Sequence, residues 1–221
     1  MKISQKTLSL IKNFAGINSS LAVKPGNKLK TLSAQNDIMA NATVDEEFPR
    51  PFAIYDLGQF LGALSLFEDP DFEFGDNSVV ISSGKNSVRY FYADESMIKS
   101  AGEKNVKLPS VDVAFTMTGA QLQSILKATS VLSVPEVSVV SDGDTLQLVA
   151  SEVKNNSSNR YAVDLDGTSN GSFRVIFKAD KLKVVPGDYL VEISSKGISR
   201  FYNEKLGVEY FIAIEQTSTF K

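Results

Sequence analysis

Asp69, Asp71 and Glu73 alternate within "FEDPDFEFGD", residues 67–76, as the oxygen ligands of a calcium loop do. Such a loop needs Gly at its sharp turn and Glu at its close, and here Phe74 and Val80 hold those positions. A solvated turn and strand are expected instead of a metal site. "SSGKN" at 82–86 carries the Gly-Lys of a phosphate loop, but Val79 replaces the first Gly, Asn86 replaces Ser/Thr, and no helical pattern follows. It is expected to be a hairpin turn. The chain has no cysteine and no histidine, which excludes a thiol nucleophile, a disulfide framework, Cys-ligated zinc and the usual serine triad. Carboxylate-only and Ser–Lys chemistry survive that filter, but the expectation is a protein without catalysis, cofactor or metal.

Lysines offer more. Residues 2–15 hold three of them and no acid, and Lys6 and Lys12 fall with Gln5, Ser9 and Asn13 opposite Leu8, Ile11 and Phe14. Lys127 lies opposite a second apolar stripe, with no carboxylate anywhere from 113 to 135. Lys178, Lys181 and Lys183 face a single acid, Asp180. Acid collects elsewhere, in 67–76, Asp45-Glu46-Glu47 and Asp94-Glu95, and the net charge is -3. Ammonium groups gathered on helices of an acidic chain suit a shared anionic partner, held by sequence-blind attraction.

These side chains need elements to position them. Spacings of three and four predict helices at 4–16 (Leu8, Ile11, Phe14, Ala15), 55–67 (Leu57, Phe60, Leu61, Leu64), 118–132 (Leu122, Ile125, Leu126, Thr129) and, shorter, 178–185. Ser4, Asp56 and Thr118 are the expected N-caps, and Pro186-Gly187 the stop of the last. The outer side of the second helix shows Gly58, Gln59, Gly62 and Ser65, a neutral surface. Most other segments are short β-rich runs: "RPFAIY", "VVISS", "SVRYFY", "EVSVV", "TLQLVAS", "NRYAVDL", "SFRVIF", "DYLVEIS" and "VEYFIAIE". Tyr90, Phe91, Tyr92, Tyr210 and Phe211 are expected in core and sheet edge rather than as a base-stacking platform. Ser141-Asp142-Gly143-Asp144 and Pro25-Gly26-Asn27 are turns, and 154–159 and 166–171 polar loops. No apolar run approaches the roughly 20 residues of a membrane span, and Met1-Lys2-Ile3-Ser4 is not expected to begin a signal peptide.

The pattern occurs twice. "LIKNFAGIN" at 10–18 aligns with "ILKATSVLS" at 125–133, setting Lys12 opposite Lys127. "FAIYDLGQFLGAL" at 52–64 aligns more weakly with "RVIFKADKLKVVP" at 174–186. "ISSGKNSVRYFYADE" at 81–95 then matches "ISSKGISRFYNEK" at 193–205. A tandem α+β duplication is expected: domains 1–93 and 111–221, joined by a polar connector at 94–110.

"LIKNFAGINSS" and "AIYDLGQFLGALSLF" closely resemble the DNA polymerase sliding clamps of T-even-type tailed phages. The resemblance runs the full length and is most specific in those two stretches. It implies the DNA-clamp fold: two similar domains per chain, each with two helices packed on antiparallel sheets, closing as a homotrimeric ring around duplex DNA. It also implies a processivity role with the DNA polymerase, opening by an ATP-dependent clamp loader, a part in late transcription, and the cytoplasm of an infected bacterium. On that resemblance Lys2, Lys6, Lys12, Lys127, Lys178, Lys181 and Lys183 face the DNA. Val88, Tyr90 and Tyr92 meet Tyr161 and Val163 of a neighbour, and partner tails enter an apolar groove at Met97, Ile98, Val106, Leu108, Ile212 and Ile214. The alternative is a β-rich trimeric virion component of tail or baseplate; a carboxylate-only hydrolase ranks third.

Overall fold

Helix α1 (Gln5–Ile17) begins where Ser4 turns extended and its side chain accepts from the Thr7 N–H, closing one of the free amides of the first turn. The structure, a computed structural model, describes residues 1–102, 105–166 and 171–220. It divides into two units, Met1–Lys104 with Leu206–Val208, and Asn105–Lys205 with Glu209–Lys221. Two residues of the expected connector, 103 and 104, and four of the polar loop at 166–171, 167–170, lie outside the described residues.

In the first unit α1 is followed by β1 (Leu21–Val23), β2 (Gly26–Leu32), β3 (Ile38–Phe48), β4 (Phe52–Ile54), α2 (Leu57–Leu64), β5 (Asp71–Phe74), β6 (Ser78–Ser83) and β7 (Asn86–Phe91). β1 pairs with β4, β2 with β3, and β5-β6-β7 form an antiparallel sheet. The N-terminal residues add to the β5 side: Phe72 N–H donates to Met1 O at 2.8 Å, and Lys2 bridges Asp71. Asp56 caps α2 through the Gln59 N–H. Leu10, Phe14, Leu29, Ile54, Leu57 and Ile81 are almost fully buried and form the core.

The second unit runs β8 (Val113–Met117), α3 (Gly119–Leu132), β9 (Glu136–Asp142), β10 (Leu146–Ser151), β11 (Tyr161–Asp164), β12 (Ser172–Lys178), β13 (Tyr189–Ser194), β14 (Ile198–Asn203), β15 (Val208–Ala213) and β16 (Thr219–Phe220). One sheet has the order β11-β10-β9-β12-β16; another runs β15-β14-β13-β8. Thr118 and Gln121 form a reciprocal capping box at the start of α3. Phe115, Met117, Leu122, Ile125, Phe177 and Phe201 converge in the core.

The expected helix at 178–185 does not form. Lys178 ends β12, and only a single 3-10 turn, Ala179–Lys181, follows. The backbone of Val185 is committed elsewhere: its N–H donates to the Tyr210 hydroxyl at 3.2 Å and its carbonyl accepts from the Tyr189 hydroxyl at 2.5 Å. Eight residues with two adjacent valines supply too little helical propensity to compete with those bonds. The α+β class stands, but among the described residues the second unit has one α-helix rather than two.

The duplication appears as matching element order and pairing. α1 and α3 correspond, as do β1–β4 and β9–β12, β2–β3 and β10–β11, and α2 and the 3-10 turn. The hairpin match is displaced by one strand. "ISSGKNSVRYFY" is β6–β7, whereas "ISSKGISRFYNEK" is β13–β14, whose counterpart in the first unit is β5–β6. Their likeness reflects shared turn chemistry, a left-handed glycine between two short strands, with φ of 60° at Gly84 and 99° at Gly197.

Candidate nucleic-acid interface

The three α-helices contain no aspartate or glutamate. α1 buries Thr7, Leu10, Ile11, Phe14 and Ile17, so its inner face is rotated from the expected Leu8-to-Ala15 stripe. Lys12 projects from the exposed side with Gln5 and Ser9. α3 buries Leu122, Ile125, Ala128 and Thr129, leaving Lys127 exposed with Gln123 and Ser130. Advancing α1 by the 115 residues that carry Lys12 to Lys127 also superposes Thr7 on Leu122, Leu10 on Ile125 and Phe14 on Thr129, all buried. The two lysines therefore hold equivalent helical positions. Among the described residues, neither is in an ion pair.

The other lysines differ. Lys2 lies 3.1 Å from Asp69 and 3.4 Å from Asp71, and its hydrogen bond to Asp69 raises its pKa. Asp69 and Asp71, the would-be calcium ligands, are thus engaged by an ammonium. Lys6 is half-buried, 3.8 Å from Asp45. Lys178 contacts Glu136 at 2.6 Å; burial pushes that carboxyl's pKa up, but the hydrogen bonds from Lys178 and the Val153 N–H outweigh it and hold it low. Lys181 is half-buried at the end of the single 3-10 turn and Lys183 follows it on irregular chain, so neither stands on the face of an α-helix. Helical spacing places Lys12 and Lys127 but cannot show which of the other lysines meets a carboxylate, because Asp45, Asp69 and Glu136 are distant in sequence from the lysines they meet.

Among the described residues, each unit also presents a strand with only one partner. β7 ends β5-β6-β7 and β11 ends β11-β10-β9-β12-β16. Tyr90 packs its ring on Phe60 at 5.1 Å and donates its hydroxyl to Gln59 Oε1 at 3.1 Å, so the β7 face bearing Val88 and Tyr90 turns toward α2. Tyr92 stacks on Phe52 at 5.4 Å. The Tyr161 hydroxyl meets Ser124 Oγ at 2.6 Å, turning Tyr161 and Val163 toward α3. Arg89, Phe91, Ala162 and Asp164, all exposed, were not among the expected interface residues; the two-residue alternation of these strands puts them on the opposite face.

Of the residues expected in a partner groove, Met97 is 66% exposed, and Val106, Leu108 and Ile214 are half-buried. Ile98 is 8% exposed in the first unit and Ile212 is fully buried in β15 of the second. Both are core residues and present no side chain to a docking segment. The connector is also less loose than its composition suggests. Glu95–Met97 form a 3-10 turn capped by Asp94, and Asn18 Nδ2 donates to Lys99 O at 2.9 Å.

The family "DNA polymerase processivity factor" matches residues 2–74 and "gp45 sliding clamp, C terminal" matches 114–216. The sliding clamp of Vibrio phage KVP40 is 33% identical over 97% of this chain and 99% of its own, and that of Enterobacteria phage T4 is 28% identical over 99% of each. Solved structures agree at the level of fold. The Proliferating Cellular Nuclear Antigen of Entamoeba histolytica aligns at TM-score 0.70 with 14% identity over 94% of both chains. The beta clamp of Helicobacter pylori, bound to a DNA ligase peptide, aligns at 0.72 with 10% identity over 97% of this chain and 65% of that one. These matches displace the virion-component alternative. Family matches in both halves, and a one-third-identical relative along nearly the whole length, establish that the chain belongs to the phage sliding-clamp family of DNA polymerase processivity factors.

Proposed function

We propose that three copies of the chain close into a ring around duplex DNA and tether the replicative polymerase there. An ATP-dependent loader opens and closes this ring in the cytoplasm of the infected bacterium, and the ring also supports late transcription. Residues 94–110 link domains 1–93 and 111–221 in each copy, and edge strands β7 and β11 of neighbouring copies join around Val88, Tyr90, Tyr92, Tyr161 and Val163. The exposed Met97 is the apolar anchor for a partner's tail.

The observation that carries this reading is the equivalence of Lys12 and Lys127, each on a carboxylate-free helix and each without an ion-pair partner among the described residues. Six such helices around a duplex give loose, register-free attraction to phosphate, while topology supplies retention. Flexible ammonium groups suit sliding better than the forked, bidentate guanidinium of arginine. The test compares retention on nicked circular and linear DNA. The clamp is expected to survive on circles in salt that removes it from free ends, and equal loss from both overturns topological binding. Lys12→Glu with Lys127→Glu is expected to impair loading while the sedimenting species keeps three times the 24.1 kDa chain mass. A strict monomer at high concentration refutes the ring.

A further inference from the structure

The backbone and side-chain alternation of the two open edges is specific enough to give a register, and this inference rests on the ring proposed above. Tyr92 N–H donates to Asn77 O, so on β7 the even-numbered residues bond toward β6, and the N–H and C=O groups of Ser87, Arg89 and Phe91 face the open edge. Leu165 N–H donates to Leu146 O, so on β11 it is Ala162 and Asp164 whose groups face outward from the sheet edge. Gln121 Nε2 caps the Asp164 carbonyl at 3.0 Å, which leaves that oxygen a second lone pair. Antiparallel union with both helix layers on one side must therefore set the odd residues of β7 against the even residues of β11.

Charge selects among the registers left. Arg200, on the inner strand β14, meets Glu192 at 3.0 Å on one side and Glu209 at 2.7 Å on the other. Arg89 is exposed on the edge strand and has no carboxylate partner among the described residues. Asp164 is exposed on the opposing edge strand, and its carboxylate accepts from Gln147 Nε2 at 2.7 Å, with no cationic partner among the described residues. We infer that Arg89 of one copy pairs with Asp164 of the next, in the register that also sets Phe91 against Ala162, Tyr90 against Val163 and Tyr92 against Tyr161. The 64%-exposed Phe91 ring then covers a methyl group. A slip of two residues one way sets Phe91 against Arg160 and Arg89 against Ala162, and the other way keeps an acid, Asp166, opposite Arg89 but sets the Phe91 ring against the Asp164 carboxylate. A hollow of about 370 Å³ lined by Tyr55, Gln59, Tyr90, Phe91 and Tyr92 lies beside the β7 edge, where the incoming Tyr161 arrives.

Because the chain has no cysteine, introduced pairs measure the register directly. Opposed residues of an antiparallel bonded pair lie about 5.5 Å apart, within disulfide reach, and a two-residue slip adds about 6.8 Å along the strand and takes them out of it. Oxidation of the full-length Phe91→Cys/Ala162→Cys protein is expected to give covalent dimers and trimers, and Arg89→Cys/Ala162→Cys is expected to give few. In sedimentation, Arg89→Asp and Asp164→Arg alone are each expected to raise the concentration of half-dissociation about tenfold or more, and the combined reversal to recover most of that loss. Both positions are exposed, and unchanged circular dichroism checks that the variants fold. Cross-links confined to the Arg89/Ala162 pair overturn this register while keeping the joined edges. A trimer that neither pair cross-links, and that is indifferent to both charges, also overturns this register.

Discussion

Lys178→Met separates a structural lysine from a DNA-facing one. Methionine keeps the stem's packing and deletes the charge, leaving the Glu136 carboxylate, whose side chain is 8% accessible, with the Val153 N–H at 2.7 Å as its remaining hydrogen bond among the described residues. Breaking a fully buried pair costs about 3–5 kcal/mol, and an exposed pair about 0.2–1 kcal/mol. Lys178 is itself 37% accessible, so the screened loss lies between, at about 1–2 kcal/mol. In a chain of 221 residues this lowers Tm by about 2–8 °C. The pH dependence has a definite sign. Burial raises the Glu136 pKa, the hydrogen bonds from Lys178 and the Val153 N–H together with the nearby ammonium charges more than reverse it, and the native carboxyl therefore titrates below its unfolded counterpart. Its contribution is present above the ordinary glutamate range and is lost as pH falls through the depressed native value. The gap between the parent protein and the variant should be widest at neutral pH and close below about pH 4. Thermal melts across that range, run beside DNA retention on circles, check both halves. Unchanged stability at neutral pH together with weakened retention would refute the structural assignment and return Lys178 to the DNA-facing set.

Lys12→Met and Lys127→Met should do the reverse, changing stability by less than about 0.5 kcal/mol while shortening the lifetime on circular DNA. Tyr210→Phe leaves the buried Val185 N–H without its acceptor and should cost about 1–3 kcal/mol in urea unfolding. Burial pushes the Tyr210 hydroxyl up to about 12, so this difference should stay flat from pH 6 to pH 9. Gly187→Ala would bring its Cβ within 2.4 Å of Asn203 Nδ2, a side chain that is 3% exposed, and should destabilise by about 1–3 kcal/mol, with Asn203→Ala recovering part of the loss.

Helix starts were the most legible part of the sequence, because a cap is a local event: Ser4, Asp56 and Thr118 each accept the expected N–H three residues on. The strands β2, β3 and β8 carried weaker signals. β3 reads "IMANATVDEEF", with alanines, an asparagine and three acids, yet runs 11 residues because its pairing with β2 supplies what propensity does not. The fourth helix failed for the complementary reason. Its apolar spacing was adequate, but two tyrosines from β13 and β15 claim the Val185 backbone, and nothing within residues 178–185 encodes that claim. The candidate site divides in the same way. Lys12 and Lys127 follow from helical phase, whereas the pairing of Lys2 with Asp69 and of Lys178 with Glu136 depends on contacts across 67 and 42 residues.

The distribution of acid explains how a chain of net charge -3 can still present cations to a polyanion. The carboxylates lie on strands and loops, where they bind the nearest lysines: Asp45 takes Lys6, Asp69 and Asp71 take Lys2, and Glu136 takes Lys178. The helices carry none, so Lys12 and Lys127 have no competitor on their own element. A solvated, unpaired ammonium loses little when it approaches a phosphate and little when it leaves, whereas a paired one must first give up a carboxylate. Weak, exchangeable contact at two equivalent positions per chain is what a protein retained by closure and moving along DNA requires. Adding acid to these helices should therefore harm function more than removing an equal number of the paired lysines.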